Sequence, residues 1–501
     1  MDLIYSIPTI FLILSLAVYY FLRRQQELWL RLGLPVAVRP HLLFGNLRGI
    51  GQTEHSCYLM QRLYWEFKRQ GLKLGGFMSF IQPAILIVDP ELVKCILVKD
   101  FNNFHDRGIF SDTVGDPLSG GLFNLEGFQW KTMRQKLTPA FSSGKMKYMF
   151  GGVINVAQDL KKFMAENYHR DDLEIKDVLQ RFTMDVIGRV AFGIEFSATK
   201  KSDSEFKRMA TKALDFDVTQ LLILFLGGRY KTLLKNLGVK LLPKDVTKFF
   251  MELARNTVAL RENSGLKRND FMDLLLEIRD QGKVTREEMT IREIAAQCFV
   301  FLTAGIETSS ATMNFCMYEL VKNLDIQEKL RLEFEDSIAR SNGELTYEAL
   351  MSMELLDRVV SETLRKYPPL DNLIRVSSTA YTIPDTKLTV PAGTAFQIPV
   401  YAMHHDPEYF PDPDRFDPER FRSEIVRTRP SYCYLPFGAG PRNCIGLRFG
   451  LMQTKIGLVT LLRDFRFSEN ARTHSKLAFD PTKFLLAPQS GMYFKIEPVR
   501  T

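Results

Sequence analysis

Between positions 294 and 318 the chain carries a single charged residue, Glu307. Immediately before this run, Thr290-Ile291-Arg292-Glu293 has the form of a capping box, in which a side-chain oxygen and a carboxylate satisfy the first free N–H groups of a helix. A helix that is apolar on every side must be surrounded by lipid or by protein. Gln297, Glu307, Asn314 and the hydroxyls of Thr303, Thr308, Ser309, Ser310 and Thr312 would cost free energy in hydrocarbon. The run is therefore expected as one buried helix through the middle of a large body. A carboxylate inside such a helix suggests function, because burial perturbs its protonation.

The chain is long enough for that body, at 501 residues. Apolar residues at 46% and charged residues at 25% are ordinary for globular proteins and exclude a wholly disordered chain, a collagen-like repeat and a polytopic membrane protein. A net charge of +8 over this length is mild. It makes no case for nucleic acid and suits an anionic membrane surface or an acidic protein partner. The six cysteines (57, 95, 298, 316, 433, 444) have no regular spacing, and no Asn-x-Ser/Thr site occurs. Both facts place the body in a reducing, non-glycosylating compartment.

Residues 3–22 form a run of 20 without a charge, enough for a helix to cross the hydrocarbon core. The start is Met1-Asp2, and the positive charges, Arg23 and Arg24, follow the run. That is the wrong polarity for a cleaved signal peptide, and positive flanks stay cytoplasmic. Residues 1–24 are expected as a single anchor helix, residues 25–45 as a stiff Pro/Gly connector (Leu34-Pro35, Arg39-Pro40, Phe44-Gly45), and residues 46–501 as the body. A second apolar stretch at 221–242, interleaved with lysines, is either an interfacial loop or a pair of core-facing helix ends.

Residues 84–88 predict a strand ending at Asp89-Pro90, and 376–381, 389–390 and 395–400 predict further short strands. Residues 404–445 are rich in Pro, Asp and Gly and predict a long ordered loop, after which a helix resumes near Gly446. No repeat, low-complexity tract or linker divides the chain. The expected fold class is mainly α with small β-sheets, in one large body.

The chemistry is concentrated in Pro436-Phe437-Gly438-Ala439-Gly440-Pro441-Arg442-Asn443-Cys444-Ile445-Gly446. A dinucleotide loop is excluded, since Asn443 stands where the third glycine belongs and no strand-to-helix unit surrounds it. Zinc spacing does not fit His404, His405, Cys433 and Cys444. The glycines let the backbone pass close to a flat object. Cys444 precedes a helix start, where the dipole favours thiolate, and Arg442 is placed to reach an anion. This segment resembles the haem-binding signature of the cytochromes P-450. Ala304-Gly305-Ile306-Glu307-Thr308, Glu362-Thr363-Leu364-Arg365 and Pro418-Glu419-Arg420-Phe421 are similar to three further motifs of that family, in the same order. The resemblance covers essentially the whole chain, and the run 435–449 is most similar to insect microsomal members that handle xenobiotics or hormones.

The resemblance implies the cytochrome P-450 fold, with haem (iron protoporphyrin) held between the central helix and the cysteine loop. It implies Cys444 as the axial thiolate and metal ligand, with Phe437 beside the sulfur. It makes Arg442, Trp130, Arg134, Arg107 and Arg375 propionate contacts and places Ala304 against the cofactor. Thr308 would hydrogen-bond activated oxygen or a nearby water, and Glu307 would relay protons. Gly305 would let the helix approach the haem. Glu362, Arg365 and Arg420 would form a buried structural network. Phe110, Phe123, Phe301, Leu302, Leu370 and Leu373 would line a pocket for a lipophilic small molecule. The implied activity is insertion of one oxygen atom of O2 into the substrate. Electrons would come from NADPH through a separate flavoprotein reductase, with a b-type cytochrome as a further partner, at the endoplasmic reticulum membrane with the body on the cytosolic face. Lys131, Arg134, Lys136, Lys145 and Lys147 would meet the reductase. A haem-thiolate isomerase or dehydratase, and a haem sensor, are the other classes that would keep Cys444. They have less use for the Glu307/Thr308 pair.

Overall fold

The computed structural model describes residues 2–36, 39–193, 198–199, 205–215, 218–265, 267–268, 270–285 and 288–499. Residues 37 and 38 of the expected connector lie outside this set.

The apolar run forms a helix, Ile291–Lys322. Its capping box is realised: the Thr290 side chain accepts from the Glu293 N–H, and the Glu293 carboxylate accepts from the Thr290 N–H. Long enough and apolar enough to cross a membrane, it is instead wrapped by protein, with Ile294, Leu302, Ile306, Met313, Phe315 and Leu320 all buried. Around it pack the helices Ile175–Ile187, Lys244–Ser264, Glu354–Lys366 and Leu447–Asp464. Phe182, Phe250, Phe299, Phe315 and Met452 belong to the one large apolar core that these helices share.

A second, smaller core surrounds a four-stranded sheet of order β1-β2-β6-β3: β1 (Leu74–Ser79), β2 (Gln82–Ile87), β3 (Leu373–Val376) and β6 (Ala395–Ile398). β2 and β6 run parallel, with Ile85 opposite Phe396, and β3 returns antiparallel, with Arg375 opposite Phe396. Two-stranded ribbons complete the fold: β4 (Tyr381–Thr382) with β5 (Thr389–Val390), and β7 (Phe465–Ser468) with β8 (Lys495–Pro498). The expected strands at 84–88, 389–390 and 395–400 therefore correspond to β2, β5 and β6, although Val400 already begins a helix, Val400–His404. The expected strand 376–381 is divided between the end of β3 and the start of β4.

The first helix, Asp2–Gln26, exposes Ile10, Phe11, Leu12, Ile13, Leu14 and Leu16, while Leu22 is buried. The following residues are less extended than their prolines suggest. Leu28–Arg31 is a helical turn, and its Trp29 is buried and donates Nε1–H to the Phe77 carbonyl on β1 at 3.2 Å. In 221–242, the helix Val218–Leu226 turns Leu224 inward, and Leu241 and Leu242 are buried. Leu233 and Leu237, around the helix Lys231–Asn236, are exposed.

Candidate active site

A cavity of about 270 Å³ lies between the central helix and the loop that precedes Leu447–Asp464. Its walls include Ala304, Gly305 and Thr308 on one side and Phe437, Gly438, Arg442 and Cys444 on the other. The loop is tightly turned. Gly440 has φ of +71°, and a Cβ there would lie 1.9 Å from the Leu97 carbonyl oxygen, so only glycine fits. The Cys444 N–H donates to the Phe437 carbonyl at 2.9 Å, closing the turn under the thiol. Of the six cysteines, Cys444 alone is accessible, and it opens onto this cavity.

Burial pushes the Cys444 thiol above its usual value. The Gly446 N–H, Arg134 and Arg107 pull the other way but do not prevail. The N–H at the helix start favours the thiolate, as the sequence suggests, but by itself does not offset the burial. Desolvation of the anion outweighs the dipole, and a cation must compensate.

Four guanidinium groups reach the same cavity, from four different elements. Arg134, on the helix Gly127–Leu137, donates to the Asn443 backbone and side-chain oxygens, both at 2.9 Å. Arg107 donates to the Phe123 carbonyl at 2.8 Å and lies over the Phe123 ring. Arg442 donates to the carbonyls of His105, Phe123 and Leu125 and stacks on Trp130 at 4.8 Å. Arg375, 1% exposed on β3, donates to the carbonyl of Ile374 at 2.8 Å. Asp106 lies 3.7 Å from Arg442, and Asp106 and Glu126 both favour the charged form of that arginine. Burial and mutual repulsion push Arg375 down to about 9 and Arg442 down to about 10, and hold Arg107 well below its ordinary value. The Nε atoms of Arg375 and Arg442 are buried with no hydrogen-bond partner. Such a cluster is unfavourable unless anions enter the cavity. Two carboxylates on a flat ligand, with a metal facing the thiol, fit these residues. No group of three or more His, Cys, Asp and Glu side chains among the described residues is placed to hold an ion, so a metal here needs ligands from a cofactor.

Thr308 and Glu307 part company. Thr308 lines the cavity and donates its hydroxyl to the Ala304 carbonyl at 2.6 Å, the helix-capping bond common for threonine. Glu307 lies outside the cavity wall and accepts from Gln180 Nε2 at 2.6 Å, on the helix Ile175–Ile187. Burial raises its pKa, with Lys176 and Gln180 opposing. Gly305 lines the cavity, and a Cβ there would lie 2.4 Å from Ile187 Cδ1, so the glycine also admits the neighbouring helix; the central helix is continuous through it.

The cavity roof is apolar, with Phe141 stacked on Phe301 at 5.2 Å and Phe271 4.2 Å from Phe301. Phe123, Phe301, Ala304, Leu370 and Leu373 line it as anticipated; Phe110 and Leu302 are buried and are not part of its lining. Of the basic residues expected at the docking face, Lys131 and Lys147 are exposed and Lys136 is half-buried. Arg134 is committed to Asn443, Lys147 pairs with Glu348, and Lys145 lines the cavity.

Sequence reasoning missed Asp106, Asn443 and Gln180, whose partners lie far off in the chain. It also missed His404, which ties the loop to the body. His404 Nε2 accepts the Leu435 N–H at 2.8 Å, so the Nδ1 proton goes to the Arg365 carbonyl at 3.1 Å. Arg365 in turn makes two bonds to Glu362, at 2.7 and 2.9 Å, with Arg420 3.4 Å from the same carboxylate.

A long buried helix facing a loop thiol, with four arginines and few carboxylates around the space between them, suits a metal-bearing, dianionic organic cofactor. The comparisons with known proteins name the class. The family description Cytochrome P450 matches residues 35–494. Cytochrome P450 6a2 of Drosophila melanogaster is 43% identical over 492 residues, 96% of this chain and 97% of that protein. Cytochrome P450 6a8 of the same species is 41% identical, covering 96% of each chain. Cytochrome P450 6A1 of Musca domestica is 39% identical, covering 97% of each. The chain belongs to the cytochrome P450 family. It is a haem monooxygenase whose iron takes an axial cysteine thiolate, and it works with a redox partner on lipophilic substrates.

Proposed function

We propose that Cys444 is the iron ligand, that Arg107, Arg134, Arg375 and Arg442 with Trp130 hold the haem propionates, and that the apolar roof receives xenobiotic or hormone-like substrates. The observation that supports this best is one accessible thiol facing a cavity reached by four guanidinium groups, of which, among the described residues, only Arg442 has a carboxylate within ion-pair distance. Bound haem supplies the activation of dioxygen and the transfer of one oxygen atom to the substrate. The chain does the rest. Cys444 would hold the metal as thiolate, a form favoured by the Gly446 N–H and by Arg134 and Arg107. Phe437, on the cysteine loop, and Ala304, on the central helix, line the cavity and would pack on the cofactor. With its own proton directed to Ala304, Thr308 offers lone pairs to a donor in the cavity. Glu307, a carboxyl with a raised pKa, takes up protons on the Gln180 side and passes them to the Thr308 side of the helix by side-chain rotation.

Electrons reach the site singly from NADPH through a separate flavoprotein reductase, with a b-type cytochrome as second donor; the absence of any dinucleotide motif in the sequence supports an external source. Residues 1–24 anchor the protein in the endoplasmic reticulum membrane, residues 25–45 hold the body against it, and residues 46–501 are catalytic on the cytosolic face. The exposed apolar side chains of the first helix, followed by Arg23 and Arg24, support this arrangement. The test is the carbon monoxide difference spectrum of the reduced protein. The red-shifted band of thiolate ligation is expected, and Cys444→Ala should lose it. A band that survives the substitution removes Cys444 from this role.

A further inference from the structure

A second concave surface lies away from the catalytic cavity, against the end of the first helix. It is a groove of about 760 Å³ whose wall carries Arg39, Arg48, Arg62 and Arg69 against one carboxylate, Glu66. Arg62 is paired in both hydrogen bonds with Glu54, at 2.5 and 2.7 Å. Arg69 gives its Nε–H to the Trp65 carbonyl. Among the described residues, the side chains of Arg39 and Arg48 have no ion-pair or hydrogen-bond partner, and both are exposed. The groove thus holds a net positive charge that the protein leaves unneutralised.

The surroundings indicate what neutralises it. Gln26, the last residue of the first helix, donates to the carbonyl of His41 on the groove rim at 3.1 Å, and Leu22 one turn earlier is buried against the body. The rim also exposes Leu43 and Phe44, and Leu30 is exposed nearby in sequence. A groove fixed to the cytosolic end of a membrane anchor, with apolar tips beside it, opens at the level of lipid headgroups.

We propose that this groove binds the headgroup of an anionic phospholipid, with Arg39 and Arg48 contacting the phosphate and Leu43 and Phe44 inserted beside the acyl chains. The placement rests on the anchor reading given above. Occupancy fixes the orientation of the body on the bilayer, because one lipid bridges the membrane and the small-sheet core.

The test uses the full-length, haem-loaded protein in a neutral detergent, titrated calorimetrically with short-chain phosphatidylserine, short-chain phosphatidylcholine and inorganic phosphate. Saturable binding of phosphatidylserine is expected, at least ten-fold tighter than phosphatidylcholine and weakening with salt. Arg39→Ala/Arg48→Ala should lose at least ten-fold of that affinity with its haem spectrum unchanged. Equal binding of the two lipids, or full affinity in the double variant, overturns the proposal. Inorganic phosphate binding as tightly as the lipid also overturns it, since the site would then serve a free anion. Carbonate extraction of native membranes reports on the anchor separately: a protein released by carbonate that still selects phosphatidylserine sinks the anchor and not the groove.

Discussion

Glu307 and Thr308 are neighbours on one helix, yet they serve different spaces. Successive helix positions are about 100° apart, so one faces the cavity and the other faces Gln180. The Thr308 hydroxyl already has a partner in the Ala304 carbonyl, so removing it leaves no buried donor unsatisfied. Thr308→Ala should therefore fold within about 1 kcal/mol of the parent and retain haem and substrate. The proton-delivery role predicts a lower ratio of product to NADPH consumed, with the difference recovered as hydrogen peroxide. Unchanged coupling in that assay would leave Thr308 as a helix cap only. Cys444, Arg442 and Thr308 were recognisable in sequence because local motifs surround them. Gln180 and Asn443 were not, because each acts on a residue more than 100 positions away.

The elements that carry the cysteine loop are held by a buried polar network. Glu362 and Arg365, three apart on Glu354–Lys366, were legible as a pair from helix spacing. The carbonyls that complete Arg365, those of His404 and Pro413 at 2.9 and 2.8 Å, were not. Next to this network, His404 and His405 are buried and kept neutral; burial and Arg365 drive His404 well below its usual value and His405 down to about 3. In the unfolded chain both take up protons near pH 6.5. The folded state therefore binds fewer protons below that pH, and stability falls as pH drops through about 6 toward 3, by on the order of 1 kcal/mol per pH unit for each histidine. Urea melts of the parent and of His405→Gln across pH 4–7 check this: the variant should show a shallower loss. Identical slopes would place the acid sensitivity elsewhere.

At the scale of the whole molecule, the proposed anchor carries a prediction. Removing residues 1–24 deletes the exposed apolar helix but leaves Leu30, Leu43, Phe44, Leu233 and Leu237 on the surface. The truncated protein should move partly into the soluble fraction after carbonate treatment, with haem incorporation unchanged. Replacing Leu233 and Leu237 by Ser in that background should increase the release. A truncated protein wholly retained without those leucines would refute the anchor as the main attachment.

The sequence by itself determined the fold class, the buried central helix and the cysteine loop. Each of these rests on short-range physics: uniform apolarity, a capping box three residues wide, and glycines where the backbone must turn. Tertiary structure alone decided the carbonyl partners of the four arginines, which the sequence offered only by resemblance, the separation of Glu307 from Thr308, the filling of the Gly305 notch by Ile187, and the packing of Trp29 on β1. Those outcomes depend on which distant surfaces meet. Buried charges and carbonyls take whatever partners that meeting supplies, and no local pattern in the chain encodes them.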